Sequence, residues 1–158
     1  FTTLEPNLGV VEMEDYRSFV VADIPGLIAG AHLGQGLGIQ FLRHIERTKV
    51  LLHLVDLAGD HGRDPAVDYE TVNRELAAFN PAILQKPTLV VASKIDAMGD
   101  SIHLEVLNRL AQDRGLECHS ISAVTGQGLE ELKFKIWSIL DKLAGEKAPA
   151  AGGNQSHE

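Results

Sequence analysis

Three short stretches of this chain carry side chains that could do chemistry. In Asp23-Ile24-Pro25-Gly26 a carboxylate stands three residues before a glycine. Such a carboxylate is a hard oxygen donor that can hold Mg²⁺, usually through water, and the glycine lets a backbone N–H come close to a terminal phosphate. A glycine-rich run follows at Gly30, Gly34, Gly36 and Gly38, as a phosphate-sensing segment would require. Ser93-Lys94-Ile95-Asp96 ends in a second carboxylate. One carboxylate can accept from two donors side by side, which guanine presents at N1–H and its N2 amine and adenine does not. The stem of Lys94 could cover one face of such a base. In Ser122-Ala123-Val124-Thr125-Gly126 the small Ser-Ala pair would let backbone N–H groups reach a base oxygen. Each stretch also has a plainer reading: a turn containing an Asp, an exposed loop charge pair, and a strand-to-helix turn with a Ser cap.

The elements that would position these stretches alternate strand and helix. Apolar runs at residues 7–13 and 18–22 read as strands, the second ending just before Asp23. Residues 50–56 and 88–92 read as buried strands and 116–121 as another, so Ser93 and Ser122 also follow strands. Leu37, Phe41, Leu42 and Ile45 repeat at helical spacing, as do Val72, Leu76 and Phe79, then Leu104, Leu107 and Leu110. Residues 59–68 read as a polar, turn-rich connection. The clearest apolar stripe, Leu129, Leu132, Ile136, Ile139, Leu140 and Leu143, marks a last helix packed into the core. The pattern predicts an α/β fold with a mostly parallel sheet, in which ligands bind beyond the carboxyl ends of the strands. The polar turn at 14–17 is too short for a parallel crossover, so 7–13 and 18–22 should form the one antiparallel pair. Residues 145–158 turn to Gly, Ala, Pro and polar types and read as a disordered tail behind a single domain, 1–144.

Composition narrows the field. The chain has 158 residues, the size of one ordinary domain, and 44% of them are hydrophobic, enough for a core. No apolar run approaches the roughly 18 residues of a membrane span. The net charge of −8 argues against a whole-chain electrostatic grip on nucleic acid, and no direct DNA binding is expected. The lone Cys118 excludes an internal disulfide and a cysteine zinc site and fits a reducing cytoplasm. His44, His53 and His61 fall on a helix, a strand and a loop, which suits structural or solvated roles. Trp137 stands one position off the last helix's stripe and reads as packing.

Taken together, three such loops at successive strand ends fit a GTP-binding domain, and the chain resembles the Obg family of ribosome-associated GTPases. The resemblance is carried by Phe1-Thr2-Thr3-Leu4, Pro6-Asn7-Leu8-Gly9-Val10-Val11, Asp23-Ile24-Pro25-Gly26-Leu27-Ile28, Gly36-Leu37-Gly38 and Phe41-Leu42-Arg43-His44-Ile45-Glu46-Arg47-Thr48. It continues past 93–96 and 122–123 and covers residues 1–143. It implies a P-loop-NTPase-like G domain in which Phe1, Thr2, Thr3, Leu4 and Glu5 form the first switch, with Thr3 a Mg²⁺ ligand. By the same likeness Asp23, Ile24, Pro25 and Gly26 hold Mg²⁺ and the terminal phosphate. Ser93, Lys94, Ile95, Asp96, Ser122, Ala123 and Val124 then read guanine. The resemblance further implies Mg²⁺-dependent hydrolysis of GTP to GDP, the large ribosomal subunit as partner, and a role in its maturation and in stress or cell-cycle control. Two alternatives stand beside it: a nucleotide-free G-domain remnant that only binds a partner, and an ATPase of the same superclass, against which Asp96 speaks.

The sequence departs from the family's pattern at identifiable places. No G-x-x-x-x-G-K-[ST] phosphate loop is present. The resemblance puts that loop, its strand and its helix before Phe1, so the chain reads as the later part of a longer protein, with the first strand and phosphate loop missing. That strand would lie between the 18–22 and 50–56 strands. These two are expected either to expose apolar edges, leaving the chain marginal, or to pair with each other directly. Ser93 stands where the family has Asn, a loss of about 1–2 kcal/mol of base binding. Ala29 replaces a commonly acidic residue. Leu27 cannot bond a water where many GTPases place Gln, which implies slow intrinsic hydrolysis.

Overall fold

The computed structural model describes residues 6–24, 38–58 and 64–147. Phe1, Thr2, Thr3, Leu4, Glu5, Pro25 and Gly26, and the tail from 148 onward, lie outside the described residues.

β1 (Asn7–Glu12) and β2 (Ser18–Asp23) pair antiparallel, with Asn7 opposite Asp23 and Val10 opposite Val20. This is the hairpin that the short connection predicts. Its turn closes where the Met13 N–H donates to the Arg17 carbonyl at 2.7 Å, with Tyr16 left-handed at φ 65°. Strand alternation sorts the side chains between two faces. Met13 and Phe19 are buried, whereas Leu8, Val10 and Val20 are 63–70% exposed on the opposite face.

After α1 (Gly38–Glu46) comes a separate, parallel sheet. β3 (Leu51–Asp56), β4 (Thr88–Ser93) and β5 (Glu117–Ser120) lie in that order, with Asp56 opposite Ser93 and Ala92 opposite Ser120. α2 (Pro65–Phe79) and α3 (Ile102–Asp113) form the crossovers, and α4 (Leu129–Lys147) follows β5. β4 is buried on both faces, which is why it reads as an unbroken apolar run. Val90 and Ala92 meet Tyr69 of α2 and Leu107 and Ala111 of α3. Leu89 and Val91 meet Leu132 and Ile136 of α4, together with Met13 and Phe19 from the hairpin. Leu42 and Ile45 of α1 pack on Leu76 and Ile83.

The structure departs from expectation in two places. α2 begins inside the stretch expected to be turn. Asp64 accepts from the Ala66 N–H at 2.9 Å, and Pro65 takes a first-turn position where it forfeits no helical hydrogen bond. α4 continues through Gly145 to Lys147, beyond the expected 144 boundary. Of the two outcomes expected for β2 and β3, exposed edges or direct pairing, the structure shows the first: the two strands do not pair with each other. A cleft of about 1210 Å³ separates them, walled by residues that include Val21, Leu52, Leu54 and Trp137. Packing supplies the reason. Met13 and Phe19 share a cluster with Leu132 and Ile136, and the Arg17 guanidinium lies 4.8 Å from the centre of the Trp137 ring. The hairpin is thus packed on α4 through these residues.

Candidate functional site

The carboxyl ends of β3, β4 and β5 form one rim, and two side-chain bonds tie it together. At the β3 end, Asp56 accepts the Ala58 N–H at 2.8 Å through Oδ1 and the Lys94 ammonium at 2.7 Å through Oδ2. At the β5 end, the Ser122 hydroxyl donates to Asp96 Oδ1 at 2.7 Å. Lys94 and Asp96 both belong to the loop after β4, so that loop is fastened to both neighbouring strands.

Local backbone geometry makes this fork possible. Lys94 is left-handed at φ 58°, ψ 38°, an uncommon state for a residue with a Cβ. It opens a single 3-10 turn, Ile95–Ala97, closed by the Ala97 N–H on the Lys94 carbonyl at 3.0 Å. The Ile95 N–H reaches the Ile121 carbonyl at 3.3 Å, so the turn rides on the neighbouring strand end. Asp96 is exposed beyond it.

Ser122 is fully buried and organises the loop after β5. Its Oγ also accepts from the Thr125 N–H at 3.1 Å, its N–H donates to the Gln127 carbonyl at 3.0 Å, and its carbonyl accepts from the Gly126 N–H at 2.9 Å. Gly128 completes the turn with φ 77°, and a Cβ there would come within 2.2 Å of the Ser120 carbonyl oxygen, so only glycine fits. Ala123 and Val124 are left exposed at the tip.

Ser93 is less available than its position suggests. Its hydroxyl donates to the Val55 carbonyl at 3.2 Å, and its carbonyl accepts from the Leu57 N–H at 3.1 Å, so it extends the β3–β4 ladder. Asp23 is exposed at the end of β2 and lines the cleft, on the other sheet. Ile24 beside it is half-buried against the Leu42 cluster. The structure therefore brings Ser93, Lys94, Ile95, Asp96 and Ser122 together. No hydrogen bond joins Asp23 to Asp96 or Ser122 among the described residues.

Asp56 is the site residue that the sequence reading passed over. Its signal was present: it is the strand-terminal residue of β3, in register with Ser93. Beneath the rim, His53 of β3 stacks on Tyr69 of α2, with ring centres 4.7 Å apart, and the Arg114 guanidinium lies 5.2 Å from the same ring. Burial, with Arg114 adding to it, pushes the His53 imidazole down to about 4, so it is neutral at neutral pH. Burial pushes the Cys118 thiol up, as an inert core thiol requires.

Comparison with known proteins matches the chain to a family. A sequence model of the family described as 50S ribosome-binding GTPase matches residues 1–94. The chain is 59% identical over 133 residues to GTPase Obg of Solibacter usitatus, covering 84% of this chain and 40% of that protein. It is 51% identical over 150 residues to GTPase Obg of Desulforudis audaxviator, covering 95% of this chain and 35% of that protein. The chain thus spans less than half the length of these curated relatives. Among solved structures it resembles Era in complex with MgGDPNP and part of 16S ribosomal RNA, with a TM-score of 0.59 and 26% identity over 87% of this chain and 45% of that one. Among the described residues no helix is long and apolar enough to cross a membrane.

Proposed function

This chain belongs to the 50S ribosome-binding GTPase family, among the GTPase Obg proteins, and from that premise we propose that it is the guanine-reading and switch-bearing part of a Mg²⁺-dependent GTP hydrolase. The observation that carries the reading is the Ser122–Asp96 hydrogen bond at 2.7 Å, which holds the one carboxylate of the Ser93–Asp96 stretch in a fixed orientation. A carboxylate has about four acceptor positions. Ser122 occupies one, and the others take guanine's N1–H and N2 amine. The Lys94 stem covers one face of the base. Because the Ser122 N–H is already bonded to Gln127, the base oxygen falls to the N–H groups of Ala123 and Val124.

Asp23 is an exposed carboxylate at a strand end, the hard oxygen donor that Mg²⁺ takes. In this proposal it holds the ion with Thr3, while Phe1, Thr2, Leu4 and Glu5 line the first switch and Ile24, Pro25 and Gly26 approach the terminal phosphate. Mg²⁺ bound there would neutralise charge on the phosphates. The wider role proposed is a GTP/GDP switch in large ribosomal subunit assembly and in stress and cell-cycle control, exercised in the cytoplasm by a protein of which this chain is a part. The ribosomal RNA held by Era supports a ribosomal partner.

The test is competition binding of GTP, GDP and ATP to a full-length Obg-type protein carrying these residues. Guanine nucleotides should win by on the order of a hundredfold or more, because a site built to accept two donors rejects a base that lacks them. Equal affinity for ATP would overturn the reading. No nucleotide binding at all would leave the pure binding module in its place. Residues 1–158 alone should release no phosphate from GTP above background, since the sequence holds no lysine-bearing phosphate loop.

A further inference from the structure

The geometry points to Asp56 as a positioning residue for base recognition, acting through Lys94. This inference rests on the guanine-site reading above and adds to it a residue from a strand that the reading did not use.

Stability does not account for the Asp56–Lys94 pair. Its two side chains are 50% and 60% exposed. An ion pair that exposed contributes between nothing and about 1 kcal/mol. The left-handed backbone at Lys94 costs about 1–2 kcal/mol for a residue with a Cβ. Stability alone would place Gly or Asn at 94 and leave the end of β3 uncharged. The chain instead keeps a lysine in an unfavourable backbone state and gives its ammonium a carboxylate at 2.7 Å.

What the pair does follows from its geometry. The left-handed turn sends the Lys94 side chain toward β3, while Asp96, two residues on, bonds to Ser122 beside β5. With its ammonium on Asp56, the four-carbon stem is stretched across the rim between β3 and β4. A long flexible chain becomes a fixed apolar strip beside the carboxylate that reads the base edge. Charge adds a second effect. A purine base is neutral, and an unpaired ammonium beside it would turn toward phosphate. Paired with Asp56, the ammonium is neutralised locally and the stem is left to cover the base. Asp56 is itself held, since its other oxygen accepts the Ala58 N–H at 2.8 Å. It therefore aims Lys94 from a fixed point.

The experiment is equilibrium binding of GDP and GTP to a full-length Obg-type protein carrying these residues. The forms compared are unchanged, Asp56→Ala, Asp56→Asn, Lys94→Met and the Asp56→Ala/Lys94→Met double variant, each with its melting temperature. Asp56→Ala should weaken GDP and GTP alike by about threefold to fivefold, the scale of one ion pair partly open to water. Asp56→Asn, which still accepts from Lys94 without the charge, should lose less. Lys94→Met keeps the apolar stem and lacks the ammonium, so adding Asp56→Ala to it should cost nothing further. Melting temperatures should stay level across the series.

Four results would overturn the inference. One is unchanged affinity in Asp56→Ala. Another is a loss confined to GTP, which would move Asp56 to the phosphate end. A third is an equal further loss in the Lys94→Met background. The last is a loss that tracks a fallen melting temperature while Asp56→Asn binds as the unchanged protein does. If the unchanged protein binds no guanine nucleotide, the site reading fails and Asp56 with it. If it binds GDP while Asp56→Ala is neutral, only Asp56 fails.

Discussion

The parallel sheet and the hairpin share a core, yet they are finished to different degrees. In the sheet, β4 is covered on both faces, and three strand ends are tied by Lys94 to Asp56 and Ser122 to Asp96. In the hairpin, Leu8, Val10 and Val20 are exposed, Leu8 and Val20 among the residues that line the cleft, and the inner edge of β2 has no strand partner among the described residues. The cleft walls carry a further mark. Asn73 Nδ2 and Trp137 Nε1 are buried without a hydrogen-bond partner among the described residues. A buried donor left so costs about 1–3 kcal/mol. The side that would choose the base is thus tied together by these residues, while the side that carries Asp23 stands on an edge with no strand partner among the described residues. Base selection and phosphate chemistry are separable in this chain, and changes on the two sides should behave differently.

The largest effect is expected on the finished side. In a full-length Obg-type protein carrying these residues, Asp96→Asn puts an amide donor against guanine's N2 amine. Xanthine has a carbonyl at that ring position and accepts from the new amide. Preference should therefore swing from GTP toward XTP by on the order of a hundredfold or more. Competition binding of GTP, XTP and ATP to both forms measures the swing. If the variant keeps its GTP preference, Asp96 does not read the base, and the contrast between a built and an unbuilt side loses its first term.

The next effect is on stability of the same side. Leu107 of α3 is fully buried against β4. Leu107→Ala removes buried methyl groups and leaves a cavity, at a cost of about 2–5 kcal/mol in urea unfolding of residues 1–158. A cost below 1 kcal/mol would mean the sheet is as loosely packed as the hairpin.

How much of this could be read from the sequence differs between the two sides in the same way. The run at 88–92 marks a buried strand, because a strand covered on both faces has no polar alternation to hide it. The short turn at 14–17 announced the hairpin. Asp64-Pro65 was a legible helix start, but it sits next to a glycine- and charge-rich stretch whose composition outweighed the cap. The bond between Asp96 and Ser122 spans 26 positions in sequence and that between Asp56 and Lys94 spans 38. Such pairs depend on strand order and register, which local patterns do not encode. The cleft was half legible. The separation of β2 from β3 is set by how Met13, Phe19 and Arg17 sit on α4, a tertiary fact with no periodic signature.

A pH effect of about 3 kcal/mol sharpens the comparison from inside the sheet. His53 lies under the rim with a folded pKa of about 4, against 6.5 as its ordinary value. The unfolded chain therefore takes up this proton first as the medium is acidified. The stability held by neutral His53 is complete above pH 6.5 and drains away as pH falls toward 4. Urea midpoints of residues 1–158 should drop across that window. His53→Phe, which keeps a ring against Tyr69, should flatten the drop. A flat profile in the unchanged chain would show that His53 is wet, and that the sheet is open beneath the site.

The smallest effect belongs to the hairpin, and its smallness is the point. Val20 is 63% exposed and sits directly across from Val10, itself 67% exposed. Val20→Thr keeps the branched shape that suits a strand and exchanges a methyl for a hydroxyl. A methyl already in water loses little when it becomes polar, and a hydroxyl in water needs no protein partner. The expected change in unfolding free energy of residues 1–158 is within about 0.5 kcal/mol, the range of ordinary surface substitutions. The same exchange at Val91, buried between β4 and α4, would bury an unpaired hydroxyl and cost about 1–3 kcal/mol. Measured side by side, the two variants give the contrast as a ratio. If Val20→Thr costs as much as Val91→Thr, then this face of the hairpin is covered in solution, and the two sides of the molecule are equally finished after all.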